Sequence, residues 1–265
     1  MVTIKTLQNL KAAGEKIVAL TAYDASFSTI LDEAGVEVIL IGDSLGMVIQ
    51  GVESTIPVTV DDMVYHARAV AKASKNAMIM IDMPFMSYTT SEQALNNAAR
   101  LMKEGGAHVV KLEGTANQKD IVRLLVANGV PVCAHLGLRP QFVHKLGGYR
   151  VQGREQEAAE ELIADALALQ EAGADIILLE CVPASLAKQV TETVKTPVIG
   201  IGAGVDCDGQ VLVLYDMLGI TPGKRPRFSK DFLAIAETPS VSQAVEDYVQ
   251  AVKQGTFPGE EHSFK

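Results

Sequence analysis

The chain has 265 residues, of which 48% are hydrophobic, and its 32 acidic and 23 basic side chains give a net charge of -9. That length allows a large buried core and fits a single domain over residues 1–265. The acidic balance excludes a broad nucleic-acid-binding face, because phosphate binding needs concentrated positive charge.

The hydrophobic pattern predicts an opening amphipathic helix over residues 4–12, followed by apolar strands that alternate with helices. The eight predicted strands cover residues 17–21, 38–41, 78–81, 109–112, 130–134, 175–179, 198–201 and 211–215. The predicted helices cover residues 25–34, 61–73, 91–103, 118–126, 155–171 and 184–194, with a last helix from residue 228 onward that is clearest over 244–252.

Eight strands in this alternation predict an α/β fold, a (β/α)8 TIM barrel with an extra N-terminal helix. A doubly wound open sheet is the alternative, since the seventh connection is too short for a full helix. The long connections at residues 44–59 and 136–154 are expected to be lids or binding loops.

The three cysteines, Cys133, Cys181 and Cys207, have neither metal-ligand spacing nor an even-numbered framework, which suits free thiols in a reducing cytosol. No apolar run approaches the roughly 20 residues of a membrane span, and the first residues lack an export signal. We therefore expect a cytoplasmic protein.

Four of the apolar runs end in a carboxylate, and the carboxyl ends of parallel strands meet at one rim. The four acids are Asp43, Asp82, Glu113 and Glu180. Crowded like charges repel, so such a rim needs a cation or a shared proton, and a divalent metal is the simpler answer. Oxygen donors without thiolate favour Mg²⁺ over Zn²⁺. Each acid taken alone could instead be a helix cap or a loop residue.

Further polar residues fall at the same predicted rim. Lys111 shares a strand face with Glu113, which is one candidate partner for its charge, and a bound anion is the second. His135 ends the fifth strand, although a hydrogen-bonded core histidine is the alternative. Ser44 follows Asp43 where a hydroxyl could hold a carboxylate, or it is an ordinary turn serine. The glycines of residues 200–204 lack dinucleotide-site spacing and predict a tight turn that a ligand can approach.

Two basic clusters, residues 224–227 and the pair Arg150 and Arg154, are either solvated surface or contacts for a polyanionic cofactor tail. The first reads Lys-Arg-Pro-Arg. Neither cluster has the breadth of a nucleic-acid-binding face.

Ten short segments, from Thr21 to Phe264, resemble the 3-methyl-2-oxobutanoate (ketopantoate) hydroxymethyltransferase family. They read TAYD (21–24), GDSLG (42–46), TIPVT (55–59), DMPF (82–85), VKLEG (110–114), AHLG (134–137), GGYRVQG (147–153), LECVP (179–183), GIGAG (200–204) and GEEHSF (259–264). Ala134 replaces a glycine often found before the histidine. The resemblance implies a TIM barrel, Mg²⁺, 5,10-methylenetetrahydrofolate as co-substrate, pantothenate and coenzyme A synthesis, and homo-oligomers that are often decamers.

The resemblance also implies roles for matching residues. Asp43 and Asp82 would ligate Mg²⁺ and lie against the substrate, with Glu113 as a further ligand, directly or through water. Lys111, Ser44 and His135 would contact the keto acid, and Glu180 would be the proton acceptor. The implied reaction is hydroxymethyl transfer to 3-methyl-2-oxobutanoate through an Mg-stabilised enolate.

Two other functions compete with this one. A Mg-dependent carbon–carbon lyase or mutase of the isocitrate lyase and phosphoenolpyruvate mutase type would share barrel and metal, but the Lys-Cys-Gly-His loop motif typical of that group is missing from this sequence. A non-catalytic barrel that senses or scaffolds would use the four acids only as an ion-pair network.

Overall fold

The computed structural model describes residues 1–223, 225–237 and 239–265. Eight parallel strands form a closed barrel in which each strand pairs with the next and the eighth pairs with the first. They are β1 (Ile17–Thr21), β2 (Val38–Ile41), β3 (Met78–Asp82), β4 (Val109–Glu113), β5 (Val132–Gly137), β6 (Ile176–Glu180), β7 (Val198–Ile201) and β8 (Gly209–Leu212). The TIM barrel is confirmed, and the open sheet is excluded.

The helices surround this barrel, and the predicted extra N-terminal helix, α1, precedes β1. They are α1 (Ile4–Ala13), α2 (Ala25–Glu33), α3 (Leu45–Val48), α4 (Val60–Ala73), α5 (Ser91–Lys103), α6 (Lys119–Ala127), α7 (Val143–Leu146), α8 (Gln156–Glu171), α9 (Ala184–Thr193), α10 (Leu214–Met217), α11 (Phe232–Ile235) and α12 (Val241–Lys253). Short 3₁₀ turns occupy Ala116–Gln118, Pro140–Phe142 and Glu260–His262. In the described ranges, no helix has the length and apolarity needed to cross a membrane.

The strands are buried along almost their whole length, because one face packs in the barrel lumen and the other against the helices. Helix α4 illustrates the second layer, since its residues Met63, Ala67 and Val70 are buried while its polar residues face outward. Its start is fixed by a capping box, in which the Thr59 side chain accepts a hydrogen bond from the Asp62 N–H. The capping residues and the buried apolar face of α4 therefore support the same helix.

The prediction for the eighth strand was wrong at both ends. The strand covers Gly209–Leu212 and not residues 211–215, whose last two residues begin α10. A side chain at residue 209 would overlap the Ile17 carbonyl of the neighbouring strand, so glycine permits the pairing. The chain turns away at Leu214, whose N–H donates to Thr21 Oγ1 at 2.9 Å.

The continuous helix predicted from residue 228 onward is also wrong. Among the described residues of this segment, α11 is a short helix and α12 is a separate one. Pro239 has no backbone N–H and cannot continue a helix. Ser240 then starts α12, because its hydroxyl accepts from the Gln243 N–H at 3.1 Å.

Both long connections carry short helical pieces. The connection after β2 contains α3, and the connection after β5 contains the turn Pro140–Phe142 and then α7. Strand β5 itself begins after Pro131 and extends to Gly137, later than predicted. These two connections lie at the carboxyl ends of their strands, the end of a TIM barrel that carries functional groups.

Candidate active site

The strand register brings the predicted polar residues to one end of the barrel. Asp82 pairs with Lys111, Glu113 with His135, and Gly137 with Glu180, while Asp43 lies two residues beyond the end of β2. Asp43, Asp82, Lys111, Glu113 and His135 are at most 4% exposed. The carboxyl end of the barrel therefore holds a buried charged cluster, which we call the acid cluster: Asp43, Asp82, Lys111, Glu113, His135 and Glu180.

The buried lysine of the acid cluster pairs with an acid on the next strand. Lys111 Nζ lies 2.9 Å from Asp82 Oδ1. The ion-pair partner is therefore Asp82, and the prediction of Glu113 as a candidate for this partner was wrong. Burial opposes the charge on Lys111, but Asp82, Glu113 and Asp43 outweigh it and raise its pKa. Lys111 is therefore a cation at neutral pH.

Asp43 lies against the same ion pair. Its backbone N–H donates to Asp82 Oδ2 at 3.0 Å, which brings the two aspartates together. Burial and the negative charge of Asp82 raise the pKa of Asp43 to about 7, although Lys111 and a hydrogen bond from Gln141 act in the opposite direction. Without a further positive charge nearby, Asp43 is readily protonated near neutral pH.

His135 stands between the lysine and the outer acids. Its Nδ1 lies 3.3 Å from Lys111 Nζ and 3.8 Å from Glu113 Oε1, and its Nε2 lies 3.3 Å from Glu180 Oε2. Burial, and then the charge of Lys111, lower its pKa well below the usual value. Because an ammonium can only donate, Nδ1 is the acceptor and the proton of the neutral ring is on Nε2, facing Glu180.

Glu180 and Glu113 both hold protons more tightly than exposed glutamates do. Burial raises the pKa of Glu180 to about 8; Lys111 opposes the shift, whereas Asp43 and Asp82 add to it. Burial and the charge of Asp43 raise the pKa of Glu113 well above its usual value. A carboxyl group that titrates near neutral pH, with a side chain still 14% exposed, is suited to accept or donate a proton.

Ser44 follows Asp43 at the start of α3, where its hydroxyl is 2.9 Å from the Tyr23 hydroxyl. It makes no capping hydrogen bond to the helix. A side chain at residue 42 would come within 2.7 Å of Ser44 Oγ, so Gly42 leaves the hydroxyl its space. The serine is thus positioned by a tyrosine that the sequence analysis did not identify.

Two further functional residues escaped the sequence analysis. Gln141, in the long connection after β5, donates from Nε2 to Asp43 Oδ2 at 2.8 Å. Tyr88 donates to Gln141 Oε1 at 2.6 Å. The only available signal was that Gln141 falls in a connection predicted to be a binding loop, because its distant partners cannot be seen in sequence spacing.

The acid cluster has the donors that a hard cation requires. Two of its buried oxygens, Asp82 Oδ1 and Glu113 Oε1, accept no well-formed hydrogen bond. The nearest thiol in the lumen, Cys133, stays protonated because burial raises its pKa to about 12, so the donors are oxygens, as Mg²⁺ prefers. Across residues 1–223, 225–237 and 239–265, no three His, Cys, Asp or Glu side chains form a complete metal site. A cation held by the two aspartates would therefore take its other ligands from substrate and water.

The turn predicted at residues 200–204 exists. Gly202 and Gly204 have positive φ values of 60° and 82°. A side chain at Gly202 would meet Phe228 and Phe264, and a side chain at Gly204 would meet Ala184. The two glycines therefore make room for packing of the chain itself, and the approach of a ligand to this turn stays a prediction.

Arg225, Arg227 and Arg154, from the two basic clusters, contact groups other than the acids of the acid cluster. In the first, Lys224 lies outside the described residues, Arg225 pairs with Asp231 at 3.1 Å, and Arg227 donates to the Glu261 carbonyl. Arg154 borders a cavity of about 460 Å³ that also involves Ser185 and Lys265. The acid cluster is the stronger candidate for the chemistry than this cavity, because it brings together Asp43, Glu113 and Glu180, whose pKa values are all raised.

The sequence comparisons bear on this geometry. Residues 1–260 match the profile of the ketopantoate hydroxymethyltransferase family. The chain belongs to this family. It is 63% identical over 264 residues to the 3-methyl-2-oxobutanoate hydroxymethyltransferase of Marinobacter nauticus, covering 100% of this chain and 99% of that protein. It is 60% identical over 263 residues to the enzyme of the same name from Alkalilimnicola ehrlichii, covering 99% and 94%.

Solved structures with a similar fold come from another group of enzymes. Phosphonopyruvate hydrolase aligns with a TM-score of 0.62 at 14% identity, over 83% of this chain and 84% of that chain. A 2,3-dimethylmalate lyase of the PEP mutase/isocitrate lyase superfamily aligns with a TM-score of 0.58 at 16% identity, over 83% and 82%. At such identities the likeness extends to the barrel alone, so it does not favour the lyase alternative over the family assignment.

Proposed function

We propose that the acid cluster transfers a hydroxymethyl group from 5,10-methylenetetrahydrofolate to 3-methyl-2-oxobutanoate, giving 2-dehydropantoate and tetrahydrofolate in pantothenate synthesis. The observation that carries this proposal is the position of Glu180. Its carboxyl group, with a pKa near 8, faces a neutral histidine and borders a buried lysine–aspartate pair. Glu180, which can exchange a proton, thus lies beside Lys111, which can stabilise negative charge. Proton abstraction next to a carbonyl requires both groups.

The keto acid is an anion, and the proposal assigns its binding to the positive side of the acid cluster. The Lys111 ammonium attracts the carboxylate and carbonyl oxygens, and the Ser44 hydroxyl, held by Tyr23, donates to the same end of the substrate. Asp43 and Asp82 would hold Mg²⁺, with Glu113 acting through a bound water. When bound there, the ion supplies Lewis-acid polarisation of the 2-oxo group.

In the first half of the reaction, Glu180 removes the C3 proton of the keto acid. Negative charge then develops on the 2-oxo oxygen, where the buried Lys111 stabilises it. The Nε2 of the neutral His135 lies 3.3 Å from Glu180 Oε2 without forming a well-aligned hydrogen bond, which leaves the carboxyl group free to exchange its proton. Because burial raises the pKa of Glu180, its carboxylate is a stronger base than that of an exposed glutamate.

In the second half, C3 forms a bond to the methylene carbon of the folate, and both carbon–nitrogen bonds that join this carbon to the folate break. Each of the two folate nitrogens receives a proton, one that came from C3 and one from water, and the same water supplies the hydroxyl group of the product. Protonated Glu180 lies at the site and is the donor that this chain offers. The atoms balance, because keto acid, methylenetetrahydrofolate and water together give 2-dehydropantoate and tetrahydrofolate.

The direct test is a product assay by mass spectrometry with the keto acid, methylenetetrahydrofolate and Mg²⁺. We expect a product heavier than the keto acid by one CH₂O unit, formed only when all three are present. If the protein instead cleaves 2,3-dimethylmalate without folate, the lyase alternative is correct. Calorimetry with Mg²⁺ and the keto acid tests the scaffold alternative, since a scaffold should bind neither.

We also propose that the protein is a cytoplasmic homo-oligomer, and specifically a decamer, with the family resemblance as the support. Light scattering on a sizing column should then give ten times the chain mass of 28.2 kDa. A monomer at micromolar concentration would contradict this part of the proposal without affecting the assignment of the reaction.

A further inference from the structure

Gln141 connects several parts of the acid cluster through one buried side chain. It lies in the turn Pro140–Phe142 after β5 and is 3% exposed. Its amide nitrogen donates to Asp43 Oδ2 at 2.8 Å and to the Met83 carbonyl at 3.0 Å. Its backbone N–H donates to Glu113 Oε2 at 3.0 Å. A single residue thus contacts the connections after β2 and β3 and the end of β4.

The orientation of this amide is determined by its neighbours. The Met83 carbonyl can only accept a hydrogen bond, so the NH₂ group must face it, and the same group then donates to Asp43 Oδ2. The amide oxygen then faces Tyr88, whose hydroxyl lies 2.6 Å away and donates to it. Tyr88 is itself buried and receives a hydrogen bond from the Glu113 N–H at 3.3 Å. Both amide hydrogens and the amide oxygen are therefore satisfied by groups outside the connection that carries Gln141.

A glutamine that only stabilised its own connection would bond to that connection's backbone. Gln141 instead directs its side chain into the acid cluster, and one of its bonds is made to a charged oxygen, which strengthens it. That bond occupies Asp43 Oδ2 and fixes the rotation of the carboxylate. The backbone bond to Glu113 Oε2 fixes the second acid in the same way and leaves Glu113 Oε1 without a hydrogen bond.

We propose that Gln141 is a positioning residue that sets the orientation of Asp43 and Glu113 for the divalent cation, with Tyr88 holding its amide in place. This inference rests on the proposed function, since it concerns the cation of that site. Partners that orient metal ligands typically change metal affinity by about 10- to 100-fold when they are removed. Gln141 contacts neither the cation nor the reacting atoms in this role, so it is not a catalytic residue.

The test measures the affinity of the protein for Mn²⁺, as a probe for Mg²⁺, by electron paramagnetic resonance without substrate. Gln141→Met keeps the length of the side chain but removes its amide, and we expect Mn²⁺ to bind about 10- to 100-fold more weakly. Tyr88→Phe keeps the ring and Gln141 itself, and the loss of the hydroxyl, which contacts Gln141 Oε1 and the Glu113 backbone, should weaken binding by about 2- to 10-fold. Steady-state rates at saturating Mn²⁺ should recover more in Tyr88→Phe than in Gln141→Met.

The matched control is Gln93, whose amide donates to the Met86 carbonyl in the connection after β3 and touches no acid of the cluster. Gln93→Met should leave the Mn²⁺ affinity unchanged even if the melting temperature falls. Unchanged Mn²⁺ affinity in folded Gln141→Met would overturn the inference. If that variant does not fold, unchanged affinity in Tyr88→Phe overturns it instead.

The wild-type protein separates this failure from a failure of the proposed function. If the wild type forms the hydroxymethylated product and binds Mn²⁺, and Gln141→Met and Tyr88→Phe bind Mn²⁺ as tightly as the wild type, only the proposed role of Gln141 is wrong. If the wild type binds no divalent ion, the proposed function and this inference both fail.

Discussion

The two ends of the barrel differ in how well their buried charged side chains are hydrogen-bonded. At the amino end, Lys11 Nζ donates to the Thr191 carbonyl at 2.9 Å, the Thr196 carbonyl at 3.1 Å and Asp208 Oδ2 at 2.7 Å. At the carboxyl end, four acids surround one lysine, Glu113 Oε1 accepts no hydrogen bond, and Asp82 Oδ1 has only its ion pair with Lys111. At the amino end the buried charge has a full set of hydrogen-bond partners, which is typical of a structural site. At the carboxyl end some buried carboxylate oxygens lack them, which is typical of a functional site.

The pKa directions express the same contrast. At the amino end, burial of Asp32 is outweighed by hydrogen bonds from Ala77, Asn76, Ser74 and Lys75, which lower its pKa. At the carboxyl end, burial and neighbouring acids raise the pKa values of Asp43, Glu113 and Glu180. Carboxylates thus stabilise the fold at one end and, without a bound cation, oppose it at the other.

The largest expected effect comes from removing Glu180, the proposed proton acceptor at the carboxyl end. Glu180→Gln keeps the shape of the side chain, so exchange of the keto-acid C3 hydrogen with deuterium oxide, measured by NMR with Mg²⁺ and without folate, should slow about 100- to 10,000-fold. Glu161→Gln, on the exposed face of α8, is the control and should exchange at the wild-type rate. Equal exchange in Glu180→Gln would remove Glu180 from this step.

A large effect is also expected from removing Asp82, which pairs with Lys111 and is the proposed metal ligand. Asp82→Ala should weaken Mg²⁺ binding at least about tenfold in calorimetry. It should also lower the free energy of unfolding by about 3–5 kcal/mol, because Lys111 is left buried without its partner. Asp208→Ala, at the amino end, should lower stability but leave Mg²⁺ affinity unchanged. Unaltered Mg²⁺ affinity in Asp82→Ala would contradict the ligand assignment.

In the ligand-free protein, the raised pKa values of the carboxyl-end acids should make the stability depend on pH. The pKa of Glu180 rises from 4.5 in the unfolded chain to about 8 in the fold, and the pKa of Glu113 is also raised. Between about pH 6.5 and 8 the folded protein therefore holds more protons than the unfolded chain. The free energy of unfolding should fall across this window, by up to about 1.4 kcal/mol per pH unit for each group. Urea titrations measure this slope. A free energy that rises with pH would contradict it, whereas saturating Mg²⁺ and keto acid should flatten it.

The smallest expected effect is confined to stability. Lys11→Met removes a cation from the amino end and leaves Asp208 without its ion-pair partner, which should cost about 2 kcal/mol in urea denaturation. The rate of hydroxymethyl transfer per folded molecule should not change, because the amino end carries none of the chemistry. A lower rate at unchanged stability would show that the two ends are not separate in function.

The sequence predicted the barrel well because parallel strands bury both faces and give continuous apolar runs. Strands β1, β2 and β7 match the predicted ranges at both ends. Strand β8 was misplaced because Gly209 and Gln210 are not strand formers and pair only because β1 comes close. The tail was misread because the apolar pattern continues across Pro239, where the backbone cannot stay helical.

The acid cluster could be predicted from strand ends, but its internal pairing could not. Lys111 pairs with Asp82 because the register of β3 and β4 sets them side by side, and register depends on tertiary packing. Gln141 was missed for a related reason, since its partners lie on β4 and on the connections after β2 and β3. The role of a loop residue depends on where the fold brings it.

The most direct test of the account is a crystal of the protein grown with Mn²⁺ and 3-methyl-2-oxobutanoate, measured at an energy where manganese scatters anomalously. We predict an anomalous peak within coordinating distance of Asp43 and Asp82, with the keto acid between it and Lys111. An empty carboxyl end, or a peak only at acids elsewhere on the molecule, would contradict the claim that the acid cluster binds the cation.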